Sequence, residues 1–441
     1  VSERVTIVGA GLGGALLAVL LGRRGASVGV VERRDDPRGE RQVRGRSINL
    51  AISTRGLHAL SQAGLVERVL AESVAMRGRM IHAQTGDLAF QPYGTEEHHV
   101  IHSVSRAGLN RMLIEAAEAL PNVTVTFDRR CVGLDAERGA VELVESETGR
   151  THRVESDWIV GADGAYSEVR QQMLKLDRVD YEQSYLEHGY KELSIPALPG
   201  GGFAMERNAL HIWPRGGFMM IALPNVDGSY TCTCFWPFDG PNGFASLRTG
   251  EDVLAFFRRV FPDAVPLMPT LAEDFLANPL GTLVTVRCRP WSKEGKVVLL
   301  GDAAHAIVPF YGQGANAAFE DCVVLDESLQ AHPADRPRAF ARFETLRRVH
   351  TDTLADLAIG NFLEMRDKTA SRLFLLGKKT EKALHRLFPR SFVPLYYMVT
   401  FSRTPYADAV RRARRQWRVV GFAALGLLLL ILAVLGIVAG G

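Results

Sequence analysis

With 441 residues, 47% of them hydrophobic and 23% charged, the chain has the composition of a folded globular protein, with room for two domains or one large α/β body carrying an insertion. A net charge of +3 is too small to argue for nucleic acid as a partner, and the basic excess is local, with Arg411, Arg412, Arg414, Arg415 and Arg418 close together. The five cysteines, Cys131, Cys232, Cys234, Cys288 and Cys322, form neither metal-ligand spacing nor an even disulfide framework, so no metal site is expected and a reducing compartment is.

The chain is expected to enter its first strand at Val5, with no signal peptide ahead of it. Val5 to Val8 is followed by Gly9-Ala10-Gly11-Leu12-Gly13-Gly14, which matches G-x-G-x-x-G, and by a small-residue helix to about Arg24; Ser27 to Val31 is a second strand ending in Glu32. Glycines in this setting allow a tight turn and close approach of a pyrophosphate to a helix start, and Glu32 is placed to accept a bond from a ribose. The pattern specifies a dinucleotide without choosing between FAD and NAD.

A helix is expected from about Thr54 to Ala71, then paired strands over Met76 to Phe90 with Arg77 and Arg79 on one face. Spacing alone leaves Arg79 open between a solvated strand arginine and an anion ligand. Arg106 precedes an amphipathic helix, Ala107 to Leu120, and faces either a phosphate or the surface. Val123 to Phe127, Val141 to Val144 and Val154 to Val160 read as strands, and the last runs into Asp163-Gly164, an acid and a glycine at a strand end.

Between Tyr181 and Thr285 the pattern is strand-rich, with a hairpin turn at Asn225 to Gly228 and a helix from Glu251 to Phe261. Cys232 and Cys234 alternate with Thr on one of these strands, as buried small side chains or a redox pair. Val297 to Leu300 is a buried strand leading to Gly301-Asp302, and Gly312 to Asn316 opens a helix over Ala317 to Leu329. Bare N–H groups at such a start favour negative charge, as on the pyrimidine side of a reduced flavin. Gly312-x-Gly314-x-x-Ala317 also meets the loose fingerprint, but about eleven residues separate it from its strand, which argues against a second nucleotide. Pro337 to Leu387 reads as helical with a solvated basic face. Val419 to Val438 is uncharged and long enough to cross a bilayer, with Trp417 at the interface and the arginine cluster on the cytoplasmic side.

The three nucleotide-related elements, Gly9 to Gly14, Asp163-Gly164 and Gly301-Asp302, together resemble the single-component FAD hydroxylases of the para-hydroxybenzoate hydroxylase type. That resemblance implies FAD as cofactor and NADPH docking transiently as co-substrate. The expected fold is α/β: a Rossmann-like FAD-binding domain in two parts, 1–180 (with substrate-contacting strands at 74–104) and 286–335, an inserted antiparallel-sheet substrate domain at 181–285, a helical region at 336–418 and a transmembrane tail helix at 419–438.

Longer stretches narrow it further. RGRSINLAIS at 44–53, MRGRMIH at 76–82, PYGT at 92–95, HIWPRGGFMMIALPN at 211–225, GDAAHAIVPFYGQG at 301–314 and PLYYMVTFSR at 394–403 resemble the kynurenine 3-monooxygenase family over nearly the whole chain. The resemblance implies hydroxylation of L-kynurenine to 3-hydroxykynurenine with NADPH and O2, and membrane association in part of the family. It implies a substrate site of Arg79, Tyr93, Phe310, Asn361, Met365 and Tyr396, with Arg79 on the carboxylate, a pairing that suits a planar guanidinium. For the flavin, Gly13, Glu32, Arg34, Ala51, Arg106, Cys131 (through its backbone), Asp302, Ala315 and Asn316 carry over, beside Gly9, Gly11, Gly14, Asp163 and Gly314. Ala315, where the family often has Met, and Tyr311 are departures next to the flavin. The chemistry is the cofactor's, so no acid or base is assigned; Gln313, for orienting the reactive oxygen, and His305, for proton transfer, are the candidates. Other readings are a membrane-anchored flavin hydroxylase or reductase acting on another aromatic or lipid-soluble substrate, and a non-catalytic flavoprotein. The oligomeric state is left open.

Overall fold

Arg4–Val8, Trp158–Gly161 and Val297–Leu299 lack polar alternation because both of their faces are covered: they lie side by side in a six-stranded sheet. The order is Ser292–Lys293, Val297–Leu299, Trp158–Gly161, Arg4–Val8, Ser27–Val31, Val123–Thr126, and every pair is parallel except the first. The computed structural model describes residues 3–39, 49–94, 99–176, 178–364 and 372–440 and divides into two units, Val1–Thr369 and Ala370–Gly441. In the first unit, helix Leu12–Arg23 packs against helices Arg106–Glu118 and Gly314–Ala331.

The stretch expected as one strand over Val154 to Val160 is two, Thr151–Glu155 and Trp158–Gly161, in different sheets. The chain turns at Ser156-Asp157, where Ser156 Oγ bonds Thr6 Oγ1 and Asp157 accepts the Arg4 N–H at 2.7 Å. The expected helix from Thr54 to Ala71 is likewise Thr54–Gln62 and Val66–Ala71, parted by Gly64 at φ +71°. A glycine in the left-handed region just past a helix is an ordinary stop.

The second large sheet has seven strands, in the order Gly281–Arg289, Asp180–Ile195, Tyr230–Pro237, Met219–Pro224, Ala209–Pro214, Gly78–His82, Leu88–Pro92. It takes in more of the chain than residues 181–285: its far edge is a hairpin from before the insertion, joined by parallel pairing of Gly78–Ile81 with Ala209–Ile212. Arg77 and Arg79 do not share a strand face, since Arg77 falls in the break between Ser73–Met76 and Gly78–His82, which belong to different sheets.

Paired residues share a face of a sheet, so the register sorts the side chains. Arg79, Leu210, Ile212, Ile221, Met219, Thr233, Phe235 and Tyr190 lie on the front. His211, Trp213, Met220, Ala222, Cys232, Cys234 and Leu193 lie on the back. Helices Gly250–Val260, opened by a Thr249/Asp252 capping box, and Leu271–Ala277 cover the back with Phe256, Phe257 and Phe275 around Trp236. Cys232 and Cys234 are fully buried there and burial pushes both thiols up, as for inert core cysteines.

In the second unit, helices Arg372–Leu387 and Leu395–Thr400 precede one long helix, Tyr406–Gly440. That helix begins before the apolar run and carries the arginine cluster as part of itself. Gln416 bonds both N–H and C=O of Val393, and Trp417 meets Phe392 edge-on at 5.4 Å. Residues 421–433 are all exposed, and the helix is long and apolar enough to cross a membrane.

Candidate active site

The glycine turn presses on its neighbours where it must and opens where a ligand would come. Gly9 has φ +107°, and a Cβ there would stand 2.4 Å from the Ala162 carbonyl oxygen; a Cβ on Gly14 would stand 2.0 Å from the Gly9 carbonyl oxygen. A Cβ on Gly13 would touch Leu300 at 3.1 Å, whereas one on Gly11 would meet nothing within 4 Å. Helix Leu12–Arg23 has no side-chain cap and no acid in its first turn, so its first N–H groups fit a pyrophosphate. Glu32 accepts the Ala10 N–H at 2.9 Å and the Arg34 N–H at 3.1 Å, which fixes its carboxylate while leaving lone pairs for ribose hydroxyls. The Arg34 side chain is exposed. Asn110 holds the turn from another helix through the Ala10 carbonyl at 2.9 Å.

Asp163 accepts from Ser167 Oγ through Oδ1 and from the Glu168 and Val169 N–H groups through Oδ2, so Oδ2 caps helix Glu168–Leu176. Cys131 is buried and burial pushes its thiol up to about 12, which leaves its backbone as the part able to serve a ligand.

At the far strand end, Gly301 (φ +61°) turns the chain into Asp302. Asp302 is open to solvent, yet burial raises its carboxyl against the pull of Arg106 and His305. A carboxylate that water reaches and protein surrounds lies at the floor of a cleft. It has no hydrogen-bond partner among the described residues, and so fits a ligand hydroxyl. Helix Gly314–Ala331 has no side-chain cap and no first-turn acid, so the N–H groups near Gly314 and Ala315 fit the electron-rich edge of a flavin. Asn316, fully buried, accepts the Ser53 N–H at 2.9 Å and donates to the carbonyls of Ala51 at 2.8 Å and Gly312 at 2.9 Å. It staples this loop to strand Leu50–Ile52. The two cradles together satisfy what FAD needs.

Gln313 is buried and donates to Ser53 Oγ at 3.2 Å. His305 is buried too, with Nε2 2.6 Å from Asp321 and its ring against Trp291. His305 is also part of a hydrogen-bonded charge network around Asp321 that sequence reasoning missed. Arg347 donates to Asp321 at 2.6 Å and to Glu320, Arg55 donates to Glu320 at 2.7 Å, and Asp321 also accepts the Gly301 N–H at 3.2 Å. The network ties helix Arg336–Leu363 to the turn that presents Asp302.

On the front of the seven-stranded sheet the Arg79 guanidinium carbon lies 5.7 Å from the Tyr93 ring centroid. Farther along that face Phe310 packs on Phe235 at 5.0 Å and stacks on Phe362 at 4.4 Å, in a cluster with Met219, Ile221 and Tyr190. Asn361 donates to the Phe310 carbonyl at 2.7 Å, so it holds the aromatic wall. Tyr396 sits in helix Leu395–Thr400 of the second unit, half-buried and edge-on to Phe401. Met365 lies outside the described residues.

A family model for the FAD binding domain matches residues 2–339. Kynurenine 3-monooxygenase of Salinispora tropica is 50% identical over 428 residues, covering 97% of this chain and 94% of that protein. The chain belongs to the kynurenine 3-monooxygenase family. The enzyme of that name from Dictyostelium discoideum is 46% identical over 92% of this chain and 90% of its own. Among solved structures, a tetrameric form of 2-methyl-3-hydroxypyridine-5-carboxylic acid oxygenase aligns with TM-score 0.68 at 22% identity, over 83% of this chain and 94% of that one. Pseudomonas aeruginosa PqsL in complex with 2-aminobenzoylacetate aligns at 0.66 and 22% identity, over 83% and 97%; at such identities the likeness is of fold. This member of the kynurenine 3-monooxygenase family is thus a flavoprotein monooxygenase with an FAD-binding domain.

Proposed function

We propose that the chain hydroxylates L-kynurenine to 3-hydroxykynurenine, with FAD bound at the two cradles and NADPH and O2 as co-substrates. The observation that carries the substrate reading is the front face of the sheet, where a guanidinium and a phenol stand at one end and an aromatic wall on the flavin loop stands at the other. That face suits a small aromatic molecule with a carboxylate at its tail. Bound FAD supplies the redox chemistry, accepting hydride and activating oxygen. The protein's own share is placement and dryness. Arg79 takes the carboxylate as a fork, Tyr93 braces Arg79, Phe310 with Phe235 packs the ring and excludes water, and Asn361 fixes Phe310 through its carbonyl. Glu32 and Asp302 take ribose and ribityl hydroxyls, the starts of helices Leu12–Arg23 and Gly314–Ala331 take negative charge, and Arg106, whose charge is felt at Asp302, takes a phosphate. Met365 and Tyr396 as substrate ligands rest on the resemblance alone.

Anaerobic reduction by NADPH with and without kynurenine, followed by product analysis in air, tests this. Kynurenine should accelerate flavin reduction and be converted to the 3-hydroxy product. A protein that retains FAD and shows neither effect does not have this function, and stimulation by a lipid-soluble aromatic instead would point to the rival hydroxylase.

We further infer that the apolar part of helix Tyr406–Gly440 anchors the protein in a membrane in a single pass, with the arginines and the catalytic unit on the cytoplasmic side. The protein should stay with membranes through an alkaline carbonate wash; release into the supernatant would overturn the anchor.

A further inference from the structure

Behind the face that carries Arg79, the same strand is held by a chain of side chains that no step above uses. His82, of opposite parity to Arg79 along Gly78–His82, therefore points to the back of the sheet. It is 5% exposed, with Nδ1 2.7 Å from Asp263 Oδ2 and Nε2 2.8 Å from His211 Nδ1, and its ring stacks on Trp213 at 3.9 Å. His211 is 1% exposed, and its Nε2 lies 2.9 Å from the Glu206 carbonyl oxygen. Trp213 Nε1 donates to the same Asp263 oxygen at 2.9 Å. Arg215 closes the group, donating to the His82 carbonyl at 2.9 Å and to the Val260 carbonyl at 2.7 Å.

The protons in this chain are determined by what each atom can do. A carbonyl only accepts, so His211 Nε2 carries a hydrogen. Burial pushes His211 down to about 4, so it is neutral near pH 7 and its Nδ1 is bare. His82 Nε2 must therefore donate. Asp263 is ionised: burial raises its carboxyl, but its bonds from His82 and Trp213 outweigh that and leave it below the ordinary range. An ionised carboxylate only accepts, so Asp263 fixes His82 through Nδ1 while His211 engages Nε2. His82 is thus a buried bridge between His211 and the partly exposed Asp263.

Its place in the sheet gives the pair a purpose. Strand Leu88–Pro92 is exposed along its whole length, so the hairpin bearing Arg79 and leading into Tyr93 has one protein strand beside it, paired over four residues. The front of the hairpin must stay open to a ligand. A slip by one residue would turn Arg79 to the back, and a smaller drift would misplace its fork. We propose that the His82–Asp263 pair, locked to His211 and Trp213, is the positioning device that holds Arg79 in register for the substrate carboxylate. The proposal rests on reading Arg79 as the carboxylate ligand.

The test is a double-mutant cycle on the FAD-loaded protein, with the kynurenine dissociation constant read from the perturbation of flavin absorbance. Asp263→Asn keeps an acceptor for Trp213 and removes the charge. It should weaken kynurenine about tenfold, with FAD content and substrate-free NADPH oxidation unchanged. In an Arg79→Ala background the same change should add nothing, because the residue it positions is gone. His82→Asn, whose amide can reach Asp263 but not His211, should also weaken kynurenine, and it decides the matter if Asp263→Asn does not fold. Unchanged affinity in both variants, while Arg79→Ala weakens binding, overturns the positioning role alone. Equal losses with and without Arg79 also overturn it, since they mark a merely structural part. If Arg79→Ala itself leaves affinity unchanged, the reading of the substrate site falls, and this inference falls with it.

Discussion

Arg347→Leu is expected to destabilise the protein by about 3–5 kcal/mol and to release FAD on mild warming, because the change leaves the fully buried Asp321 with His305 alone and the mostly buried Glu320 with Arg55 alone. The loss should reach the flavin through structure already described: Asp321 also holds the Gly301 N–H, which sets the turn that presents Asp302. Thermal unfolding followed by flavin fluorescence measures both effects, and an unchanged midpoint would show that the network carries no stability. The pH dependence has a definite sign. Burial pushes Asp321 up, but His305 and Arg347 outweigh it and hold its carboxyl below the ordinary range; for Glu320 burial is likewise outweighed by Arg347 and Arg55. A carboxyl held low in the folded state adds stability above its unfolded value of roughly 4, and that stability is lost as pH falls through the folded value. The native protein therefore keeps this contribution through the neutral range. Without Arg347 only His305 opposes burial at Asp321, so its carboxyl rises and protonation relieves strain. The variant's deficit should accordingly shrink as pH is lowered from about 8 to about 5.

None of that network was legible in the sequence, and the reason is physical. Glu320 and Asp321 are adjacent in a helix, and their partners Arg55 and Arg347 come from two other helices, so no local spacing links them. The nucleotide turn was legible because strand, glycines, helix and Glu32 act within one contiguous stretch, with Glu32 closing on Ala10. The Asn225 to Gly228 hairpin was legible for the same reason, and its strands pair as expected. The paired strands over Met76 to Phe90 were legible too, but their place at the edge of the seven-stranded sheet was not: Gly78 pairs with Ala209, and a parallel pairing over that separation leaves no periodicity to read. The break at Gly64 had a signal, a glycine at a helix end, that the long apolar pattern over Thr54 to Ala71 overrode. Asn361 shows what resemblance does not supply, since the bond from its amide to the Phe310 carbonyl, which ties it to the aromatic wall, has no local sequence signal.

Removing the Arg79 guanidinium, as Arg79→Ala, is expected to weaken kynurenine binding by about a hundredfold or more, close to 3 kcal/mol, while the bound FAD and its absorbance stay as they are. The size follows from the setting. Arg79 is half-buried beside Tyr93, which is 5% exposed, so a carboxylate arriving there leaves water and depends on the fork to replace it. Arg79→Lys should recover only part of the loss, because an ammonium keeps the charge but offers no bidentate pair. Flavin reduction by NADPH without substrate should not change, which separates this effect from damage to the cofactor cradle. A kynurenine analogue without its carboxylate supplies the deciding comparison. It should bind the parent weakly and the Arg79→Ala variant no worse, since the contact it lacks is the one the variant has lost. Equal losses for kynurenine and the analogue would mean instead that Arg79 shapes the pocket through its contact with Tyr93 and does not read the carboxylate.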